Sequence, residues 1–379
     1  MNKKDLYLDY AASSPLHPEV LRYMTSLYEK NLGNPASIHR SGVMAAVELE
    51  KSRNAIAKKL NCSSEEVYFT SGATESNNLA LRGLAQSHLL GSRKEILISS
   101  IEHSSVKQTA QDLEENFGFK VLTIPVLPSG LINIEELKKM LGQRVLVVSI
   151  IHANNEIGSI QNLKEIGLLC KAHGILFHSD GAQAFCKTPV DVTDMNLDLY
   201  SISSHKIHGP RGIGAIYIKS GLRVQPQNIG GGQESSMRSG TVPVELISGM
   251  SAASELYTSL SLSKLESLKE HFIKILNQKI PDAIIYGTTK SSLPNIINFA
   301  VPELLGKTAL HLLDQRGIRI SVGSACHSGK KNPSHVLKAI GLNDKEAYEA
   351  LRVSWGVQTQ VSDLDYFIEQ LLLVRDLPA

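Results

Sequence analysis

The sequence predicts an α/β protein with a mostly parallel, seven-stranded sheet covered by helices and a smaller α+β part at the C-terminal end. Two observations indicate this fold. Seven short runs rich in Val, Ile and Leu lie between residues 67 and 218, and segments with helical spacing separate several of them. Strands that are nearly continuous in apolar residues are typical of a sheet that helices cover on both faces.

The expected elements follow the chain in a regular order. The expected strands cover residues 67–70, 95–100, 121–125, 145–152, 175–179, 199–203 and 213–218. The expected helices between them cover residues 79–90, 105–117, 135–141 and 163–173. No clear helical segment separates the last two strands, so we expect an antiparallel strand at the edge of the sheet there.

Long helical segments flank this block on both sides. Residues 36–60 and 244–279 are each expected to form one long helix, since apolar residues recur at helical spacing along both. Beyond the second helix, strands and helices alternate on a smaller scale. We predict a large domain at residues 16–250 and a small domain built from residues 1–15 and 251–379.

The composition is that of an ordinary folded protein without a strong charge. Of the 379 residues, 42% are hydrophobic and 20% charged, and the net charge is only +2. The longest apolar run, residues 145–151, is far too short to cross a bilayer, and residues 1–10 lack the apolar stretch of a signal peptide. We expect a cytoplasmic protein with no metal site and no direct nucleic-acid or membrane partner.

The four cysteines form no Cys-x-x-Cys pair, which favours reduced thiols. Cys326 differs from the other three because it lies in a segment flanked by glycines and is followed by His327, Lys330 and Lys331. Nearby positive charge favours the thiolate, which is the nucleophilic form of cysteine. Cys170, by contrast, lies in an apolar run that is typical of a buried structural residue.

Residues 71–76 follow the first strand of the block and open a helix. The small residues Gly72 and Ala73, with Thr74 beside them, allow backbone N–H groups to approach an anion at the positive end of that helix. A phosphate group is the expected ligand. A plain helix cap, with Ser71 or Thr74 bonding the first turn, is the alternative interpretation.

Two further residues follow the ends of neighbouring strands. Asp180 could keep a pyridinium nitrogen protonated, and Lys206, beside His205 in a loop of small residues, could form a Schiff base once partly desolvated. Carboxyl ends of parallel strands face one crevice, so we expect Asp180, Lys206 and the anion loop to meet there. Taken singly, Asp180 could cap a turn and Lys206 could be a solvated lysine.

Arg352 lies inside the apolar, strand-like run 351–355. A buried guanidinium has a planar fork that matches a carboxylate, so a substrate carboxylate is one candidate partner. An internal salt bridge is the other.

As an ordered set, these motifs resemble the cysteine desulfurases, which are fold-type I pyridoxal-phosphate (PLP) enzymes of the class V aminotransferase superfamily. The motifs are residues 8–12, 33–37, 71–80, 102–103, 154–158, 203–210, 237–241, the Cys326 segment and Arg352. The resemblance covers nearly the whole chain. It implies PLP as cofactor, L-cysteine as substrate and conversion of cysteine to alanine with a persulfide left on Cys326.

The resemblance also implies residue roles. Lys206, Cys326 and His103 would be catalytic, with Lys206 linked covalently to the cofactor, Cys326 attacking sulfur, and His103 stacking on the ring and shuttling a proton. The residues expected to contact the cofactor are Ala73, Thr74, His103, Asn155, Asp180, Gln183, Ser203, His205, Lys206 and Thr241. The residues expected to contact the substrate are Asn34, Asn155 and Arg352.

The same resemblance implies binding partners, and this chain departs from the usual family pattern at three positions. Thr241 would reach the phosphate of a neighbouring subunit, which implies a homodimer, and the spacing after Cys326 is similar to that of the longer-loop group, which hands its persulfide to acceptor proteins. Iron–sulfur assembly, tRNA thiolation, cofactor synthesis and DNA sulfur modification remain open as the pathway served. This chain has Gly181 where the family usually has Ala, Ser204 where it usually has Gly or Ala, and His327 where it usually has Thr. A related PLP lyase for selenocysteine or cystine and a silent sulfur-transfer scaffold remain the alternatives.

Overall fold

The structure, a computed structural model, describes residues 5–323 and 333–377. Its described helices are α1 (Pro18–Glu29), α2 (Arg40–Leu60), α3 (Ala73–Ser87), α4 (Ser104–Phe117), α5 (Ile134–Met140), α6 (Leu163–Ala172), α7 (Val244–Glu255), α8 (Ser259–Lys279), α9 (Gly306–Asp314), α10 (His335–Ala339), α11 (Asp344–Glu349) and α12 (Val361–Arg375). Its described strands are β1 (Leu6–Tyr7), β2 (Val67–Thr70), β3 (Glu95–Ser99), β4 (Lys120–Ile124), β5 (Val145–Ser149), β6 (Leu176–Asp180), β7 (Leu199–Ser203), β8 (Gly214–Ile218), β9 (Ile284–Tyr286), β10 (Ile296–Ala300), β11 (Ile318–Arg319) and β12 (Ala350–Ser354).

Seven strands form the large sheet, in the order β2-β8-β7-β6-β5-β3-β4. Pairing is parallel from β7 through β4 and antiparallel on both sides of β8. Every residue of β5, β7 and β8 is buried, as expected for strands with apolar layers on both faces. The predicted α/β fold with a mostly parallel seven-stranded sheet is therefore confirmed.

Three details of the sequence prediction are wrong. β8 is antiparallel, but it lies between β2 and β7 rather than at an edge, because β2 pairs with its free side. The helix expected from residue 36 begins at Arg40, since His39 caps it by accepting a hydrogen bond from the Gly42 N–H. The helix expected over residues 244–279 is two helices, because Thr258 caps the start of α8.

The C-terminal part contains a three-stranded antiparallel sheet in the order β12-β10-β9. The first strand of the chain joins this part, since Leu6 pairs in parallel with Ile318 and Asp9 forms a bridge to Ser354. This pairing agrees with a small domain that includes residues 1–15, although the exact domain bounds stay a prediction. Within the described residues, no helix combines the length and the apolar character needed to cross a membrane.

Candidate active site

A cavity of about 650 Å³ opens where β3, β5, β6 and β7 end and α3 begins. Parallel strands place their carboxyl ends at one edge of the sheet, which brings together residues far apart in the chain. The predicted site residues that line this cavity are Ala73, Thr74, His103, Asn155, Asp180, Gln183, Ser203, His205, Lys206 and Arg352.

Lys206 lies in the 3-10 turn that follows β7. Its Nζ donates to the backbone oxygens of Ala11 and Ala12 at 2.7 and 2.8 Å, so the amine is held by the N-terminal segment. Burial, together with the positive charge of Arg352, lowers the pKa of Lys206 to about 8. A substantial fraction of the amine is therefore uncharged near neutral pH, which is the form that attacks an aldehyde.

Asp180 ends β6 and is buried, yet both of its carboxylate oxygens have donors. Asn77 donates its side-chain N–H to Oδ2 at 2.7 Å, and the Ala182 N–H donates to Oδ1 at 2.9 Å. These two hydrogen bonds fix the direction of the carboxylate. Sequence reasoning did not identify Asn77. The one signal in the sequence is a polar amide among the apolar residues of α3, and the structure shows that this side chain is buried.

The N-terminus of α3 is open toward the same cavity. No side chain caps this helix, so the cap expected from Ser71 or Thr74 is absent and the anion interpretation remains. Ser203 and His205 line this end of the cavity with Arg211, a cation that was missed from the sequence. Burial and the neighbouring Lys206 charge lower the pKa of His205 to about 4, so this imidazole is neutral and can donate one N–H.

Gln183 and His103 are oriented by hydrogen bonds within the chain. Gln183 donates its amide N–H to the Ala11 oxygen at 2.7 Å, beside the two bonds of Lys206. The His103 Nδ1 accepts from the Ser105 N–H at 3.2 Å, and the ring thereby caps α4. The ring is thus held at the cavity wall, at the end of the strand next to β5.

Arg352 lines the cavity from β12 and also forms an internal ion pair. Its Nη2 lies 2.7 Å from the Asp9 Oδ1, and its Nη1 donates to the Asn155 oxygen at 3.0 Å. The Nε atom is buried and has no hydrogen-bond partner in the described part of the chain. The ion pair agrees with the internal salt bridge that was one sequence interpretation of Arg352, while the substrate-carboxylate interpretation stays a prediction. Asp9 is a third residue that sequence reasoning missed.

Comparisons with known proteins agree with this geometry. The family model of the class-V aminotransferases matches residues 6–367. The chain belongs to this family. It is 39% identical, over 97% of its length and 94% of the relative, to "Cysteine desulfurase IscS" of Dictyoglomus turgidum. Its fold matches a solved "NifS-like protein" with a TM-score of 0.91 and 34% identity over 98% of this chain and 99% of that one. A structure titled "SspA in complex with cysteine" matches with a TM-score of 0.83 and 35% identity, covering 94% and 100% of the two chains.

The cysteine desulfurase activity and the PLP dependence that the sequence resemblance implied are confirmed by this family membership. The described residues also fit the cofactor chemically. An amine of lowered pKa suits the aldehyde, the hydrogen-bonded carboxylate of Asp180 suits the ring nitrogen, and the uncapped α3 terminus suits the phosphate. One chain supplies all three groups around one cavity.

Cys326 lies outside the described residues. Two other predicted residues of this desulfurase, Asn34 and Thr241, do not line the cavity. Asn34 lies in a separate surface cleft, where its Oδ1 accepts from the Ala36 N–H at 3.0 Å. Thr241 is exposed. The roles assigned to all three stay predictions.

The described residues that flank positions 324–332 do lie beside the cavity. Ser321 lines it, and Gly323 is so close to Ser334 that an added Cβ would lie 2.9 Å from the serine Cβ. The Ser334 hydroxyl donates to the buried Glu156 Oε2 at 2.5 Å, next to Asn155. His335 donates to the oxygen of Glu102, next to His103, at 3.0 Å. The described residues on both sides of positions 324–332 therefore lie close to the part of the cavity wall that holds His103 and Asn155.

The other cysteines are unsuited to act as the nucleophile. Cys62, Cys170 and Cys186 are free thiols, and burial raises the pKa of each to about 12. Each is therefore protonated at neutral pH and unreactive. The described residues also contain no cluster of three or more His, Cys, Asp or Glu that could hold a metal ion.

Proposed function

We propose that this cysteine desulfurase acts on L-cysteine with Lys206, His103 and Cys326 as its catalytic residues. The observation that supports the proposal most strongly is the Lys206 amine of pKa about 8 in one cavity with the carboxylate of Asp180 and the open end of α3. Bound PLP supplies an electron sink for charge that develops on the substrate. The chain's own residues do the remaining work.

With PLP bound, Lys206 would hold the cofactor, and its amine, when free, would remove the proton from the substrate α-carbon. Asp180 would hold a proton at the ring nitrogen, and Gln183 and Asn155 would contact the ring hydroxyl. The residues that would hold the phosphate are Ala73, Thr74, Ser203 and His205. The hydrogen bonds already present at Asp180 and Gln183 preorganise these groups, so little reorganisation is needed when ligand binds.

Arg352 binds the substrate carboxylate in this proposal, with Asn155 and Asn34 as further contacts. The buried Arg352 Nε is a donor that lacks a partner in the described residues, and its guanidinium is kept in place by Asp9. An arginine held in this way offers a fixed fork to a carboxylate. Its position beside the Lys206 amine would set the α-carbon close to the base.

Cys326 receives the sulfur. Its thiolate attacks the substrate Sγ, a new S–S bond forms, and the substrate Cβ–S bond breaks with its electron pair remaining on carbon. His103 is placed at the cavity wall to move the proton that completes alanine. The products are alanine and a Cys326 persulfide, and the sulfur then passes to an acceptor protein or thiol.

The decisive experiment compares wild type with Cys326→Ala in the presence of cysteine. We expect the variant to bind PLP and cysteine as the wild type does but to release no sulfide and form little alanine. Cys62→Ala is the matched control, since that thiol is protonated, and it should leave turnover unchanged. Full sulfur release by Cys326→Ala would instead indicate a lyase that needs no persulfide, and turnover of selenocysteine by both forms would identify it.

We further propose that the functional unit is a homodimer with shared sites. Apolar side chains on the outer face of α2, Val43, Met44 and Val47, are 51%, 41% and 65% exposed, and Ile38 just before the helix is 98% exposed. An apolar patch of this kind marks a contact surface. A buried ion pair between Arg53 of α2 and Glu234 joins this face to the segment that ends at Thr241. A second copy that covers the face would bring Thr241 to the phosphate end of its partner's cavity.

The location and the acceptor are the last parts of the proposal. Three free thiols and no disulfide among the described residues favour a reducing compartment, so we propose the cytoplasm. The persulfide passes to an acceptor protein, such as a scaffold or a thiolation enzyme. Affinity capture with persulfidated Cys326, followed by mass spectrometry of the proteins that gain sulfur, would identify the acceptor. Transfer to small thiols alone would contradict the acceptor proposal.

A further inference from the structure

Gly181 follows Asp180 directly, at the start of the turn that leads to Gln183. A Cβ added at Gly181 would lie 2.0 Å from the Tyr200 Cζ and 2.3 Å from its hydroxyl oxygen. Contacts this short do not occur in proteins, so the position of the Tyr200 ring excludes any side chain at residue 181. Space therefore explains the glycine at this position, because the ring of Tyr200 occupies the volume that a side chain at residue 181 would need.

Tyr200 is fully buried in β7, where it pairs with Ser179 of β6. Its hydroxyl lies 2.7 Å from the His152 Nδ1. Burial lowers the pKa of His152 to about 3 and raises that of Tyr200, so the phenol is protonated and donates to a neutral imidazole. A buried bond of this kind joins β7 to the segment that follows β5.

His152 and the residue after Tyr200 also hold the backbone around Asp180. The His152 N–H donates to the Asp180 oxygen at 2.9 Å, and the Gly181 N–H donates to the oxygen of Ser201 at 2.8 Å. The backbone around Asp180 is thus held from the β5 side by His152, whose ring bonds Tyr200, and from the β7 side by Ser201. Neither residue lines the cavity.

We propose that Tyr200 is a positioning residue for Asp180, and that Tyr200 and Gly181 form a size-matched pair that sets where the Asp180 carboxylate meets the cofactor ring. This inference rests on the proposed function, in which Asp180 faces the ring nitrogen. It predicts that the two positions are coupled: a larger residue at 181 is tolerated only with a slimmer residue at 200.

The hydrogen bond is tested with Tyr200→Phe, which keeps the ring and removes the hydroxyl. We expect PLP to dissociate about fivefold more readily and the pH midpoint of the bound cofactor's visible absorbance to move, since one buried hydrogen bond supports the Asp180 backbone. Tyr217→Phe is the matched control, because Tyr217 is the cross-strand partner of Tyr200 in β8 and lies outside the cavity. Tyr217→Phe shows how far the loss of a tyrosine hydroxyl in this sheet lowers the melting temperature by itself. If Tyr200→Phe lowers only the melting temperature and leaves PLP binding and the pH midpoint unchanged, the positioning role is wrong.

The size match is tested with Gly181→Ala, Tyr200→Met and the double variant. We expect Gly181→Ala to lower both the melting temperature of the cofactor-free protein and the affinity for PLP, and the added Tyr200→Met to restore most of both. Additive effects would contradict the pair. Because the melting temperatures are measured without cofactor, a failure of the pair can be told from a failure of the proposed function, which would show as wild-type protein that never links PLP to Lys206.

Discussion

The floor and the rim of the active-site cavity are built in different ways. On the floor, Asp180, Gln183 and Lys206 each have hydrogen-bond partners supplied by the same chain. By the rim we mean Thr241, the exposed apolar face of α2 and the described residues that flank positions 324–332. Thr241 is exposed and does not line this cavity, and Val47 of α2 is an exposed apolar side chain. In the proposed function, one chain supplies most of the groups that hold the cofactor, whereas turnover would require a second chain and Cys326.

The largest effect is expected from a substitution on the floor of the cavity. Lys206→Ala should abolish the visible absorbance of lysine-bound cofactor and reduce alanine production below detection, since among the described residues Lys206 is the one lysine that lines the cavity. Lys269→Ala is the matched control, because burial also lowers the pKa of Lys269 to about 8 while its amine bonds backbone oxygens away from the cavity. A borohydride-reducible lysine adduct that persists in Lys206→Ala would contradict the assignment.

The next largest effect is expected from a substitution at the rim that leaves the residues of the floor unchanged. Val47→Asp places a charge on the exposed apolar face of α2 and should yield a monomer by light scattering, with alanine production reduced about tenfold or more because an unpaired buried charge costs several kcal/mol. Leu90→Asp is the control, since Leu90 is fully exposed elsewhere on the surface. A monomeric Val47→Asp protein with full activity would show that each chain has a complete site.

A smaller effect is expected from the protonation of Lys206 on the floor of the cavity. The Lys206 amine is protonated below a pH of about 8 and can attack an aldehyde only when deprotonated. The rate of PLP capture by cofactor-free protein should therefore rise with pH, about tenfold per unit below that value, and level off above it. Arg352→Gln should move the midpoint to higher pH, because the Arg352 charge lowers the pKa of Lys206, and Arg352→Lys should move it less. A pH-independent rate in wild type would contradict this role.

Much of the floor could be predicted from the sequence because its residues follow strand ends. The topology of a parallel sheet brings such residues together whatever their separation, so Asp180, Lys206 and the 71–76 loop could be placed in one crevice without coordinates. Motif resemblance added His103 and Gln183, which lack a distinctive local pattern.

The supporting contacts could not be predicted, because they join residues with no local signal. Asp9 and Arg352 are 343 positions apart, and Asn77 and Asp180 are 103 apart. The pairing of Gly181 with Tyr200 is a matter of volume, which one sequence does not reveal. The interior position of β8 likewise depends on its pairing with β2, a contact across most of the large domain.

The smallest expected effect tests the rim at Ser334, the second described residue after positions 324–332. Ser334→Ala removes the hydroxyl that donates to the buried Glu156 and should slow sulfide release about fivefold, the value of one ordinary hydrogen bond, with PLP affinity unchanged. Ser52→Ala is the control, because it removes a buried hydroxyl that bonds Ser248 between α2 and α7, away from the cavity. Ser334→Thr, which keeps the donor, should restore most of the rate. If Ser334→Ala instead weakened PLP binding as strongly as it slowed sulfide release, Ser334 would belong to the floor, and the separation of floor from rim would fail at this point.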